Sequence, residues 1–251
     1  MANFENGTYL ELLGQYDAAK DEYLSAFLEK HEGGISVGLN TRSAEGTAAF
    51  LKSKGVESKI GDGTIKFEGM DEPPPVFWRW VEIREGTFLS DAIFLIEYTP
   101  ARMTYRKNHP ERYGQTSHQN NAKNISSVWI AVRDVEAASK RFEHIGLARK
   151  KTFNFPEMSA KGVEFEAGEG SFILLSPAES KGRTLRFLAQ PGEGVIGAGI
   201  RVASLAACKK TLQESGRRFE EYAGIHGEGL MVEPEQAHGV CLEMFETPRK
   251  P

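Results

Sequence analysis

Apolar residues along this chain come in short alternating runs, and several of these runs lead into a stretch with helical spacing. In NISSVWIAVRDVEAASKRFEHIG, Val128, Ile130 and Val132 alternate as a strand with one buried face requires. Asp134 then stands at a helix N-cap, and Val135, Ala138, Phe142 and Ile145 follow on one helical side until Gly146 closes the helix. KGVEFEAGEG and SFILLSPA come next, two strand runs joined through a glycine turn.

The same order recurs twice. GVIGAGIRVASLAACKKTLQESG gives a strand, a helix led by Ser204 and a stop at Gly216, and LMVEPEQAHGVCLEMF adds two strands. GGISVGLNTRSAEGTAAFLKSKG, then PVFWRWVEI and AIFLIEYTP, form an earlier copy. Each copy reads as β-α-β-β-β, so the fold class is α+β, with modules pairing into cup-shaped mixed sheets. Ser127 and Leu174 lie 47 positions apart, Gly197 and Glu243 lie 46 apart, and Gly34 and Glu97 lie 63 apart. The excess in the last pair falls in the DEPPP loop and the REGTFLSD turn. Superposed, the final strands place Glu11, Glu97 and Glu243 in one column, with Leu174 as the exception.

The opening ENGTYLELLG then reads as an Asn-Gly turn followed by the last strand of a truncated first module. By the repeat spacing, roughly 40 residues of an ordinary copy would precede Met1. The expected domains are 1–117, with a partial module at 1–33 and a second at 34–117, and 118–251, with modules at 118–190 and 191–251. The segment QYDAAKDEYLSAFLEKHEG predicts an amphipathic connecting helix. An unpaired edge on the opening strand leaves homodimerisation or strand exchange open.

Composition narrows the partners. A net charge of −4 argues against nucleic acid, which selects a basic stripe. No run approaches the roughly 20 apolar residues that span a membrane. Cys208 and Cys241 have no paired spacing and sit among apolar residues, which fits buried thiols in the cytoplasm. No phosphate-binding glycine loop, nucleophile elbow or zinc-protease motif is present.

The stretches NGTYLELLG, ISVGLNTRSAEG, IFLIEYTP, SHQNNAKNISSVWIAVRDVEAA and PEQAHGVCLEMFE resemble the vicinal oxygen chelate superfamily, in its glyoxalase-like branch with four modules. The resemblance implies a cup that holds a divalent metal between a His or Gln on a first strand and a Glu on a last strand. The metal would act as a Lewis acid on a small oxygenated molecule, in a lyase, isomerase or dioxygenase reaction. Carried over by position, the first-strand column reads Gly34, Ser127 and Gly197, and none of these is an imidazole. Glu11 and Glu97 are the metal candidates, and Glu97 and His118 the catalytic ones. Glu243, alone in its module pair, reads as a structural salt bridge.

PPPVFWRWVEI supplies the substrate candidates. Its period of two sets Phe77, Arg79 and Val81 on one face, and Trp78 and Trp80 on the other. Either Arg79 points into the cup to bind an anionic or carbonyl group, or the two tryptophans form its wall. His226, in GIHGEG, sits in a loop that could close over a pocket, and His238 reads as a turn residue. His31, His109 and His144 suggest no chemistry. The alternative to an enzyme is a non-catalytic binding or sequestering protein on the same fold, which the missing first-strand ligands favour.

Overall fold

A computed structural model of the chain describes residues 1–14, 22–66, 73–83, 93–114 and 116–247. Part of the DEPPP loop, the turn at 84–91 and part of the expected connecting helix lie outside these residues. In chain order the elements are β1 (Ala2–Asn3), β2 (Tyr9–Leu10), α1 (Glu22–Leu28), β3 (Val37–Asn40), α2 (Ala44–Ser53), β4 (Ser58–Gly63), β5 (Trp78–Ile83), β6 (Ile93–Tyr98), α3 (Pro100–Asn108) and β7 (Ala122–Ala131). They continue with α4 (Val135–His144), β8 (Arg149–Phe155), β9 (Ala160–Ala167), β10 (Gly170–Pro177), α5 (Arg183–Ala189), β11 (Gly194–Val202), α6 (Leu205–Glu214), β12 (Glu220–Gly224), β13 (Gly227–Val232) and β14 (Cys241–Phe245).

The repeat is set locally by its caps. Ser43 accepts a hydrogen bond from the Gly46 N–H and Ser204 from the Ala207 N–H, while Asp134 accepts from the Glu136 and Ala137 N–H groups. Each of these helices is followed by a glycine with positive φ: Gly55, Gly146 and Gly216. That left-handed turn lets the chain reverse toward the next strand at little cost. At the start of the chain the Asn6-Gly7 turn forms as its sequence predicts, with the Gly7 N–H bonded to the Phe4 carbonyl, and it joins β1 antiparallel to β2.

The chain divides into two compact units. The first comprises residues Met1–Ile35, Gln115–Glu143 and Leu147–Pro251. Its sheet has eight strands in the order β12-β13-β14-β11-β7-β10-β9-β8. Within each module the first and last strands are parallel, β7 with β10 and β11 with β14, and the two modules meet through an antiparallel β7–β11 pair. One face is covered by helices. There Phe142 of α4 meets Phe165 and Phe172, and Cys208 and Leu212 of α6 pack with Ile200, Leu230 and Met244. The opposite, concave face gathers Trp129, Phe155, Met158, Ile173, Ile196, Met231 and Cys241.

The second unit comprises Ser36–Gly114 and His144–Gly146. Its four strands run β3-β6-β5-β4, with β3 parallel to β6 and the remaining pairs antiparallel. Helix α2 packs on one face, which buries Ala44, Leu51, Phe77, Val81, Ile83 and Ile93. The sheets are the cup-shaped mixed sheets that the repeat predicts.

Candidate functional site

In β14 the alternation sends Cys241, Glu243 and Phe245 to the concave face and Leu242 and Met244 to the helix side. Glu243 is thereby completely buried, and among the described residues neither of its carboxylate oxygens has a hydrogen-bond partner. Burial pushes its carboxyl up to about 7. The Tyr222 hydroxyl and the His226 backbone N–H face it and pull the value back down, without reaching hydrogen-bond geometry on either oxygen. Tyr222 is itself raised well above the usual phenol range, by burial first and then by Glu243.

His226 closes over this carboxylate from the β12–β13 turn. Its ring stacks on Phe245 at 4.1 Å, its Nε2 lies 3.7 Å from Glu243 Oε2, and its side chain is only 19% exposed. Burial lowers the imidazole to about 4, so it is neutral at physiological pH. The salt bridge expected for Glu243 is therefore not what forms. Ser127 Oγ lies 3.2 Å from His226 Nε2 and accepts a 3.0 Å hydrogen bond from Trp129 Nε1.

Small residues make room for this group. A Cβ on Gly199 would stand 2.5 Å from Ser127 Oγ, 3.2 Å from His226 Nε2 and 3.3 Å from Glu243 Oε2. A Cβ on Gly224 would stand 2.1 Å from Glu243 Oε1 and 2.7 Å from the Tyr222 hydroxyl. Three polar heads thus converge on one point over bare backbone, and two on another. Beside them Glu164 is buried but satisfied, 2.9 Å from Lys150 Nζ and 3.3 Å from Lys151 Nζ.

The glutamate column read from the sequence is corrected here. The Glu97 carboxylate accepts a 2.8 Å bond from the Ala44 N–H at the start of α2, and Glu246 accepts the same bond from the Leu205 N–H at the start of α6. The strand registers agree: Asn40 pairs with Ile96 and Arg201 with Phe245, each three residues before its N-cap. Glu97 therefore corresponds to Glu246, and the counterpart of Glu243 is Phe94. In the middle copy Ala131 pairs with Leu175, so Ile173, rather than Leu174, holds the Glu243 position. The first-strand column likewise shifts from Gly34 to Ser36, seven residues before its N-cap, as Ser127 and Gly197 are before theirs.

The other sequence candidates are placed as follows. Arg79 faces helix α2, paired with Glu45 and, at 3.3 Å, with Asp62, and it stands cross-strand from Glu97. Trp78 and Trp80 thus take the open face of that sheet, their rings lying across Gly63 and Gly61. His118 Nε2 is 2.8 Å from the Asn3 carbonyl, with its ring against Phe4. Glu11 follows β2 and is exposed. Glu11 belongs to the first unit and Glu97 to the second.

The donor set does not fit the divalent ion that the resemblance implies. Among the described residues no three His, Cys, Asp or Glu side chains converge. Around Glu243 there are one imidazole, His226, and the hydroxyls of Tyr222 and Ser127, which with the single carboxylate fall short of the three or four imidazole, thiolate or carboxylate ligands most such sites use. Among the described residues no helix is long and apolar enough to cross a membrane.

Paired β-α-β-β-β modules around a concave sheet define a vicinal oxygen chelate fold. The family model described as a glyoxalase-like domain matches residues 1–146, more than half of the chain, and the protein belongs to that family. Glu243 lies outside the matched span. Among solved structures, methylmalonyl-CoA epimerase from Mycobacterium tuberculosis is similar at 20% identity, covering 56% of this chain and 96% of its own, with a TM-score of 0.49. A variant of the Streptomyces coelicolor methylmalonyl-CoA epimerase in complex with 2-nitronate-propionyl-CoA is similar at 22% identity, covering 49% and 96%, with a TM-score of 0.45. A hypothetical protein from Bacillus halodurans is similar at 22% identity, covering 51% and 96%, with a TM-score of 0.46. No curated protein matches the chain.

Proposed function

We propose that this glyoxalase-like protein acts on a small oxygenated molecule in the concave face of the eight-stranded sheet, as a proton-transfer enzyme of the isomerase or lyase type. The observation that carries the reading is Glu243, fully buried, without a hydrogen-bond partner among the described residues and raised to about 7. A carboxyl poised near the working pH both takes and returns a proton, which is the requirement for general acid–base catalysis. As a carboxylate it would remove a proton from the carbon beside a carbonyl. The Tyr222 and Ser127 hydroxyls would donate to the carbonyl oxygen as negative charge builds there, and the neutral His226 ring would exclude water. Glu243 would then return the proton to the same or a neighbouring carbon.

Trp78 and Trp80 belong to the second unit, so no contact with a substrate at Glu243 is assigned to them. Glu97, Arg79 and His118 are engaged by protein groups and Glu11 is exposed, so no step is assigned to them. Free, buried Cys208 and Cys241 support a reducing, cytoplasmic setting. The binding-protein alternative is favoured by one observation, the absence of metal donors at Ser127 and Gly197.

The two readings separate by deuterium exchange. A panel of 2-oxo acids, 2-hydroxy ketones and acyl thioesters is incubated with the protein in D2O and followed by proton NMR. The enzyme reading expects loss of a signal beside the carbonyl of at least one compound, slowed about 10²–10⁴-fold in Glu243→Gln. Ligand-induced thermal stabilisation without exchange supports the binding protein. Neither exchange nor stabilisation rejects both.

A further inference from the structure

We infer that the second unit carries a binding pocket of its own, on the α2 side of its sheet, for a small carboxylate with an aromatic or branched apolar body. The inference does not depend on the reading of Glu243.

The pocket follows from the phase of α2. Ser43, Gly46, Thr47 and Phe50 recur at the three- and four-residue spacing of one helical face, and Leu51 lies beside them. In β6, Glu97 reaches the start of α2, and alternation puts Leu95 on that same side of the sheet. Helix and strand line a cavity of about 390 Å³. That size lies within the roughly 300–1,000 Å³ of small-molecule sites. Leu51, Leu95 and Ile145 give it an apolar lining, and Phe50, 41% exposed, supplies an aromatic wall. Gly46 adds no side chain to it. Neither a left-handed turn nor a close backbone approach requires glycine there, since a Cβ would meet only Ser43, 3.3 Å from its Oγ.

The polar groups select the guest. Every lining residue is neutral except Arg42. Arg42 is exposed, and among the described residues its guanidinium has no ion pair or hydrogen bond. The two acids nearest to it along helix and sheet are committed, Glu45 to Arg79 and Glu97 to the Ala44 N–H. The Thr41 and Thr47 hydroxyls, 2.7 Å apart, line the same space. Lys54 adds a second positive charge beside the wall, its ammonium 5.6 Å from the Phe50 ring centroid. An apolar hollow with one uncommitted guanidinium and no acid matches an apolar monoanion, because guanidinium binds carboxylate in two-pronged fashion. A cationic guest would meet two like charges.

The test uses the full chain, with leucine and isoleucine methyl groups labelled with carbon-13 for NMR. Benzoate is the probe and benzamide its neutral counterpart. Benzoate is expected to shift the methyl resonances of Leu51, Leu95 and Ile145. It is expected to bind about tenfold more tightly than benzamide, the difference that one hydrogen-bonded charge makes. In Arg42→Gln the two compounds are expected to bind alike. Gly46→Leu, which sets a side chain into the pocket, is expected to weaken both while the circular dichroism spectrum stays unchanged. Glu243→Gln is expected to bind benzoate as the parent does, which separates this pocket from the concave face of the first unit. Benzoate that shifts none of those methyls, binds no more tightly than benzamide, or binds Arg42→Gln as tightly as the parent overturns the inference.

Discussion

Glu243→Gln and His226→Asn are expected to show opposite dependences of stability on pH. Glu243 is held at about 7 in the fold against 4.5 when unfolded, so the native state binds more protons between those values. Its contribution to stability is fully present below pH 4.5 and is lost as pH rises toward 7. His226 behaves oppositely. Held at about 4 against 6.5, it lowers stability as pH falls through that window. Each displacement is worth about 3 kcal/mol, at about 1.4 kcal/mol per pK unit. In the parent chain the two slopes offset, so urea denaturation is expected to be nearly flat between pH 4.5 and 6.5. Glu243→Gln leaves the histidine slope, with stability rising with pH by about 3 kcal/mol. His226→Asn leaves the carboxyl slope, falling by a similar amount. Parallel slopes in the two variants would contradict the burial of either group.

Trp129→Ala is expected to destabilise the fold by about 3–5 kcal/mol, the range for emptying a large aromatic site in a core. The indole is fully buried, meets Phe155 edge-on at 5.1 Å and donates to Ser127. The truncation leaves a cavity beside Glu243 and frees the Ser127 hydroxyl. Trp80→Ala, half-buried on an open face, is expected to cost less. A urea midpoint for Trp129→Ala no lower than that of Trp80→Ala would contradict the packing described here.

The modules were legible because their signals are local. Ser43, Asp134 and Ser204 cap helices through their own next turn, and the glycines that close those helices need no distant partner. The site was less legible because its signals are not local. AIFLIEYTP and GVCLEMFETP can be aligned on either glutamate of the second, and a slip of three residues, being odd, moves a side chain to the other face of the sheet. Glu97 and Glu246 belong to helix starts, whereas Glu243 belongs to the cup. The alternation Trp-Arg-Trp-Val reads equally well in both orientations. Glu45 and Asp62 decide it by holding Arg79 on the helix side. Tyr222 is not legible as a site residue from sequence, because nothing within its own strand points to Glu243. The usable signal was the set of small residues at Ser127, Gly199 and Gly224, which leave space beside a carboxylate flanked by apolar neighbours.

At the centre of this account stands the ionisation of one carboxyl group. Carbon-13 NMR of the protein labelled at glutamate Cδ, with Glu243→Gln to assign the resonance, follows it directly across pH. A midpoint near 7 is predicted for Glu243. Titration in the ordinary carboxylate range, together with the solvent-exposed glutamates, would contradict both its burial and the chemistry assigned to it.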